Sequence, residues 1–212
     1  MLTPEKSLQA KLAEHFGNDQ FYDKTTKRIN LDPLWHSPQT AKSCLKILER
    51  FFDRQGWLEK AGGVLVADKV KVPFSILPLV CSIAISRERK LIIWKENADI
   101  IHGTSQLFGD IAGLIKTKGT EILICHDVFV HGYALVKILC DLNRIIGDAC
   151  PMEKIKISAA VNLAGEDEID HLLELTSQQT GLRLIRSQFD FLADVSVEWS
   201  QIKQGEVHDK SV

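Results

Sequence analysis

The sequence predicts an α/β domain, a parallel sheet flanked by helices and Rossmann-like in layout, with a helical segment packed on it at the amino-terminal side. Three observations carry this. Strand and helix patterns alternate from residue 62 onward. The strand patterns, such as EILIC at Glu121–Cys125, are apolar on both faces, as strands are when both faces are covered by helices. A chain of 212 residues without internal repeat, low-complexity tract or linker suits one core. The predicted domain spans residues 1–200, with 1–61 as the helical segment and 201–212 as a polar, frayed tail.

Taken in order, Thr3-Pro4-Glu5 supplies an N-cap, a proline at the first helical position and an acid in the first turn. Leu8, Leu12 and Phe16 follow at helical spacing, and Gly17 stops the helix. Residues 18–36 are polar and turn-rich, with a short extended stretch around Arg28–Leu31. Ser37-Pro38 opens a second helix whose stripe is Cys44, Leu45, Leu48, Phe51 and Phe52, and Gly56 ends it. Then come a strand at Gly62–Ala67, a buried helix at 75–86 and a strand at Lys90–Trp94. The clearest buried strand, Glu121–Cys125, leads through a short loop to a helix from about Gly132 to Ile146. KIKISAAVNL predicts a strand, EIDHLLELTSQQTG a helix ending at Gly181, and LRLIR a last strand.

The charge balance of 26 basic and 28 acidic residues, net −2, argues against a nucleic-acid binder, which works through broad positive charge. The amino terminus lacks a signal-type apolar run, and the apolar stretch at 75–86 is too short to span a bilayer. Five cysteines without a CxxC pair point to reduced thiols, hence a cytoplasmic protein with no membrane association.

Ligands of open parallel sheets bind beyond the carboxyl ends of the strands. The segment ILICHDVFVHGYALVKIL places His126, Asp127, His131 and Gly132 on a loop there. An acid on such a loop can hold ribose hydroxyls, and a glycine lets backbone N–H groups approach a phosphate at the next helix. The plainer alternative is that Asp127 caps a turn and Gly132 starts a helix. His126, Asp127 and His131 also read as metal ligands, but no closed set stands at recognised spacing.

This segment resembles the phosphoribosyl-pyrophosphate motif of type I phosphoribosyltransferases: a hydrophobic strand, two acids, two variable positions and a threonine- and glycine-rich loop. Asp127 matches the second acid and Gly132 a loop glycine. His126 replaces the first acid, Val130 and His131 occupy the hydroxyl-bearing positions, and Tyr133-Ala134 stands where glycine and Ser/Thr are usual. WKENADIIHGTSQLFGD at Trp94–Asp110 resembles the mobile catalytic loop of orotate phosphoribosyltransferases, which reaches a neighbouring subunit's active site. Lys95, Glu96, His102, Gly103 and Thr104 match, Trp94 stands for an arginine, and Ala98 or Asp99 for a lysine. RINLDPLWHSPQTAKSCLKILERF resembles the family's lead into its first large helix. GGVLVADKVKVPFSILPLVCSIAI resembles the strand, pyrophosphate loop and helix that follow, without the usual glycine-rich turn. The likeness spans roughly residues 15–190.

The resemblance implies Lys95, His102 and Asp127 as catalytic residues, and His126, Asp127, Val130, His131, Gly132, Tyr133 and Ala134 as the cradle of the phosphoribosyl group. It also implies a homodimer, phosphoribosyl pyrophosphate, a nucleotide or another sugar phosphate as ligand, and Mg²⁺ where catalysis operates. In the family reaction a nitrogen base displaces pyrophosphate through an oxocarbenium-like transition state, so positioning and charge stabilisation supply the rate. Here His126 brings no full negative charge, Val130 donates no hydrogen bond and Tyr133 adds bulk. The departures at Trp94 and at Ala98 or Asp99 remove cations, and Leu163 stands where an arginine contacts orotate. Each lost charged contact costs about 1.5–3 kcal/mol where desolvated. The expectation is therefore a phosphoribosyltransferase-like binding protein with weak or no transferase activity. The alternatives are an active enzyme in which His126 and His131 take over roles, and a scaffold without ligand.

Overall fold

Capping chemistry sets the amino-terminal helices. In the computed structural model, which describes residues 3–17, 21–23, 28–68, 75–95, 113, 120–146 and 152–209, helix α1 spans Pro4–Phe16. The Thr3 side chain accepts the Lys6 N–H at 3.4 Å, and Leu8, Leu12 and Phe16 form the buried stripe. Strands β1 (Tyr22–Asp23) and β2 (Arg28–Ile29) pair antiparallel, so the extended stretch is shorter than expected. Leu31 leads instead into a 3-10 turn at Asp32–Trp35. Ser37 caps α2 (Pro38–Gln55), which buries Cys44, Leu48, Phe51 and Phe52 and ends at Gly56. A single turn, α3 (Trp57–Lys60), enters the sheet.

Five parallel strands then form one sheet: β3 (Ala61–Asp68), β4 (Lys90–Lys95), β5 (Glu121–Phe129), β6 (Ile155–Asn162) and β7 (Phe189–Asp194). Their spatial order is β4-β3-β5-β6-β7. The chain runs outward from β3 to β4 and returns past β3 to β5. The direction of winding therefore reverses between β3 and β5, the place where open α/β sheets leave a crevice. The connecting helices are α4 (Leu77–Ser86), α5 (Tyr133–Ile146), α6 (Glu166–Thr180) and α7 (Ser196–Asp209).

Side chains alternate across the strands and feed two cores. Val64, Val66, Leu123 and Cys125 pack with the amino-terminal helices and α4 on one face. Leu65, Ala67, Ile122 and Ile124 pack with α5 and α6 on the other, around Leu135, Leu139, Leu142 and Leu172. This double coverage is why EILIC carries no polar alternation.

Three expectations are corrected. β5 does not stop at Cys125: Val128 and Phe129 pair with Val161 and Asn162, so His126 and Asp127 lie within the strand and not on a loop. LRLIR is not a strand. Leu184 is buried in the second core, while Arg186 turns outward to Asp170 and to the Glu166 carbonyl oxygen on α6, and the strand forms at Phe189–Asp194. The stretch expected as a tail continues α7 to Asp209, with Ile202 buried. α7 lies against α1, where the Glu198 Oε1 receives Lys11 Nζ at 2.8 Å and the Ser7 hydroxyl at 3.4 Å. Among the described residues no helix is long and apolar enough to cross a membrane, and Cys44, Cys81, Cys125 and Cys140 are free thiols.

Candidate functional site

At the carboxyl end of the central strand β5, the chain leaves the sheet through Val130, His131 and Gly132 and enters α5 at Tyr133. The first bond inside the helix runs from the Val136 N–H to the Gly132 carbonyl oxygen. The amides of Tyr133, Ala134 and Leu135 thus have no acceptor within the helix. An open cleft of about 210 Å³ forms there, lined by His126, Val128, Phe129, Val130, His131, Gly132, Tyr133, Ala134 and Leu135. It sits beside the winding reversal. Every residue expected in the cradle except Asp127 lines it.

Asp127 is turned elsewhere. It is 3% exposed, and its carboxylate accepts the Ser75 hydroxyl at 2.7 and 2.9 Å and the Ile76 N–H at 2.8 Å. Ser75 in turn accepts the Leu77 N–H at 3.0 Å. A carboxylate on β5 thereby satisfies amides at the start of α4, which has no side-chain cap of its own. The plainer reading of Asp127 as a capping group is the one observed, although the turn it serves lies 51 and 52 positions earlier in the chain. Neighbouring His126 is buried, its ring edge-on to Phe129 at a centroid separation of 6.0 Å.

Gly132 has φ +66°, a conformation L side chains rarely adopt. A Cβ built on it would stand 2.6 Å from Leu172 Cδ2 and 3.1 Å from the Phe129 ring. Glycine is therefore required on the packed side of the loop, where α6 presses against it. The close approach expected toward a ligand is an approach to Leu172.

On the solvent side, His131 Nδ1 lies 3.3 Å from Glu168 Oε1, and Glu168 Oε2 accepts the Gly165 N–H at 2.8 Å. Glu168, at the first turn of α6, so links the loops after β5 and β6. Tyr133 stands out from the surface, 61% exposed, with its ring 6.0 Å from that of His131. The cleft is not plugged by the aromatics that would fill it in a pure scaffold. Phe129 forms its inner wall among Phe189 and Phe191, and Trp94 is buried away from it with its indole N–H donated to Asp141 on α5 at 2.9 Å.

Lys95 closes β4 in register with Asp68 on β3. Its side chain, and His102 with the rest of residues 96–112, lie outside the described residues. The structure brings together His126, Val130, His131, Gly132, Tyr133 and Ala134, and separates Asp127 from them. Ser75 and Glu168 escaped the sequence reading. An acid three residues after Gly165 at a helix start was a visible capping signal for Glu168, whereas nothing local marks Ser75.

The Mg²⁺ implied by the resemblance does not fit the described donors. Mg²⁺ asks for carboxylate and water oxygens. His126 offers an imidazole, and Asp127 has its oxygens committed to Ser75 and Ile76. A second groove of about 440 Å³ lies beside the first, between Leu163, the acidic first turn of α6 and Ser196, Trp199, Ser200 and Lys203. Compared with known proteins, the chain matches no family model and no curated protein.

Proposed function

We propose that this chain is a phosphoribosyltransferase-like protein that binds a nucleotide or a phosphorylated ribose in the cleft after β5, with weak or no transferase activity. The observation that carries the reading is the open cleft at the winding reversal, lined by the loop and first helical turn that the motif resemblance singles out. Amides without helical acceptors at Tyr133–Leu135 and a favourable helix dipole suit a phosphate group. Among the described residues the cleft is lined by no lysine or arginine, and the acid expected to grip the ribose is bound to Ser75 and Ile76. Both features weaken stabilisation of a departing pyrophosphate, which is why binding is favoured over turnover. No Mg²⁺-dependent step is assigned to the described residues.

Isothermal calorimetry on the full chain tests the reading, using ribose 5-phosphate, phosphoribosyl pyrophosphate and a panel of nucleoside monophosphates, each with and without Mg²⁺. Saturable one-site binding of at least one ligand is the expected result. Heat of dilution alone across the panel would remove the proposal. Pyrophosphate release with a panel of nitrogen bases is expected to stay at background, and rapid release would move the assignment to an active transferase.

A further inference from the structure

Resting on that reading of the cleft, we infer that the ligand is a nucleotide whose base stacks on the exposed rings of Tyr133 and His131, outside the cleft that takes its phosphate end. Size makes the first part of the case. Small-molecule pockets occupy about 300–1,000 Å³, and at about 210 Å³ this cleft encloses only a fragment of such a ligand. The remainder must lie over the rim.

The rim is aromatic. Tyr133 is 61% exposed although a ring of that size gains by burial. Its partner His131 is half-exposed, with ring centroids 6.0 Å apart and planes inclined at 46°. Two rings in contact at that inclination form one continuous aromatic surface, against whose outward, solvent-facing side a flat base can stack. Both stand on ordered backbone, and the His131 ring is also held, before any ligand arrives. Tyr133 is the first residue of α5, and the His131 imidazole rests against Glu168, itself fixed by the Gly165 N–H. Rings already ordered lose little conformational freedom on stacking. The glycine between them, pinned by Leu172, sets their spacing. Ala134, the small residue after Tyr133, lines the same cleft, so ring and phosphate contacts arise from consecutive residues.

The experiment compares adenosine 5′-monophosphate with ribose 5-phosphate by calorimetry on the full chain and on its Tyr133→Ala and Tyr133→Phe variants. Because Tyr133 is exposed, both variants are expected to fold, which circular dichroism checks. The nucleotide is expected to bind the unmodified chain more tightly than the sugar phosphate. Tyr133→Ala should weaken nucleotide binding roughly 5- to 150-fold, the range of base–aromatic stacking, and weaken ribose 5-phosphate binding by a much smaller factor. Tyr133→Phe should retain the nucleotide affinity. Upfield ring-current shifts of the adenine protons on binding, lost in Tyr133→Ala, are the second readout. If ribose 5-phosphate binds and the nucleotide gains nothing, or if Tyr133→Ala weakens both alike, the stacking inference is overturned and the cleft reading stands. If neither binds while phosphoribosyl pyrophosphate or another panel nucleotide does, the stacking inference falls and the cleft reading stands; only silence across the whole panel removes both.

Discussion

A buried carboxylate that accepts a hydroxyl hydrogen shared between its two oxygens and a backbone amide from a neighbouring loop is a structural anchor, and Asp127 has that environment. Hydrogen bonds to charged groups contribute about 1.5–3 kcal/mol, and a buried amide left unpaired costs about 1–3 kcal/mol. Asp127→Ala is therefore expected to destabilise the free protein by about 3 kcal/mol, read as a lower urea midpoint at constant m-value. Asp127→Asn keeps one oxygen for the Ile76 N–H and should lose about half of that. An acid reserved for ligand would behave differently: its removal would leave the stability of the free protein untouched and abolish binding only. Gly132 illustrates the same division at the next turn. Its missing side chain serves the Leu172 contact, while the faces of His131 and Tyr133 remain open to solvent.

Between elements, the connection from α6 to β7 shows how a strand can be displaced from its apparent position. LRLIR has the alternation of an edge strand, yet Gln188 decides the boundary. Its side-chain amide donates to the Ile155 carbonyl oxygen at 2.8 Å and its Oε1 accepts the Ile185 N–H at 2.7 Å, with Gln188 itself nearly out of solvent. This clamp ties the loop to the start of β6 and delivers Phe189 into register with Ile157. Gln188→Ala is expected to cost about 2 kcal/mol, with hydrogen exchange accelerated first in β7, the outermost strand on that side. Equal acceleration across β3 and β5 would count against a local clamp. Periodicity and caps made α1, α2, α4, α5 and α6 legible, because each announces its ends with Ser, Thr, Pro or Gly or with an apolar stripe. The parallel sheet was legible from strands apolar on both faces. The extension of β5 through His126 and Asp127 was not, since two polar residues after EILIC look like the start of a loop. Only their partners, Ser75 and Ile76 just before α4 and the Phe129 ring, show why they are buried. The motif's order singled out residues that, Asp127 apart, line one cleft, and the inward turn of Asp127 was invisible because its partners lie far away in sequence.

Across the whole molecule, two cores sandwich one sheet, and the thiols report on how dry they are. Burial pushes the Cys44 thiol up to about 11 and the Cys125 thiol up to about 12, and raises Cys81 and Cys140 above their usual value as well. A folded state that holds its thiol protons more tightly than the unfolded chain loses stability as pH rises above 9.0, the ordinary thiol value, and through the raised values. The urea midpoint is accordingly expected to fall above that pH, less steeply in Cys125→Ala. Alkylation of the native protein at pH 8, mapped by mass spectrometry, should reach the half-buried Cys81 and Cys140 before Cys44 and Cys125. A uniform rate at all four would contradict the dry cores.

The clasp between the first and last helices carries a further consequence, one of timing. Ser7 and Glu198 stand 191 positions apart. At a synthesis rate of about 5–20 residues per second, the ribosome releases α1 roughly 10–40 s before the surface that completes its cover. During that interval Leu8 and Leu12, both fully buried in the finished protein, lack part of their packing. The nascent chain thus carries α1 with its apolar stripe only partly covered until the last helix has been made.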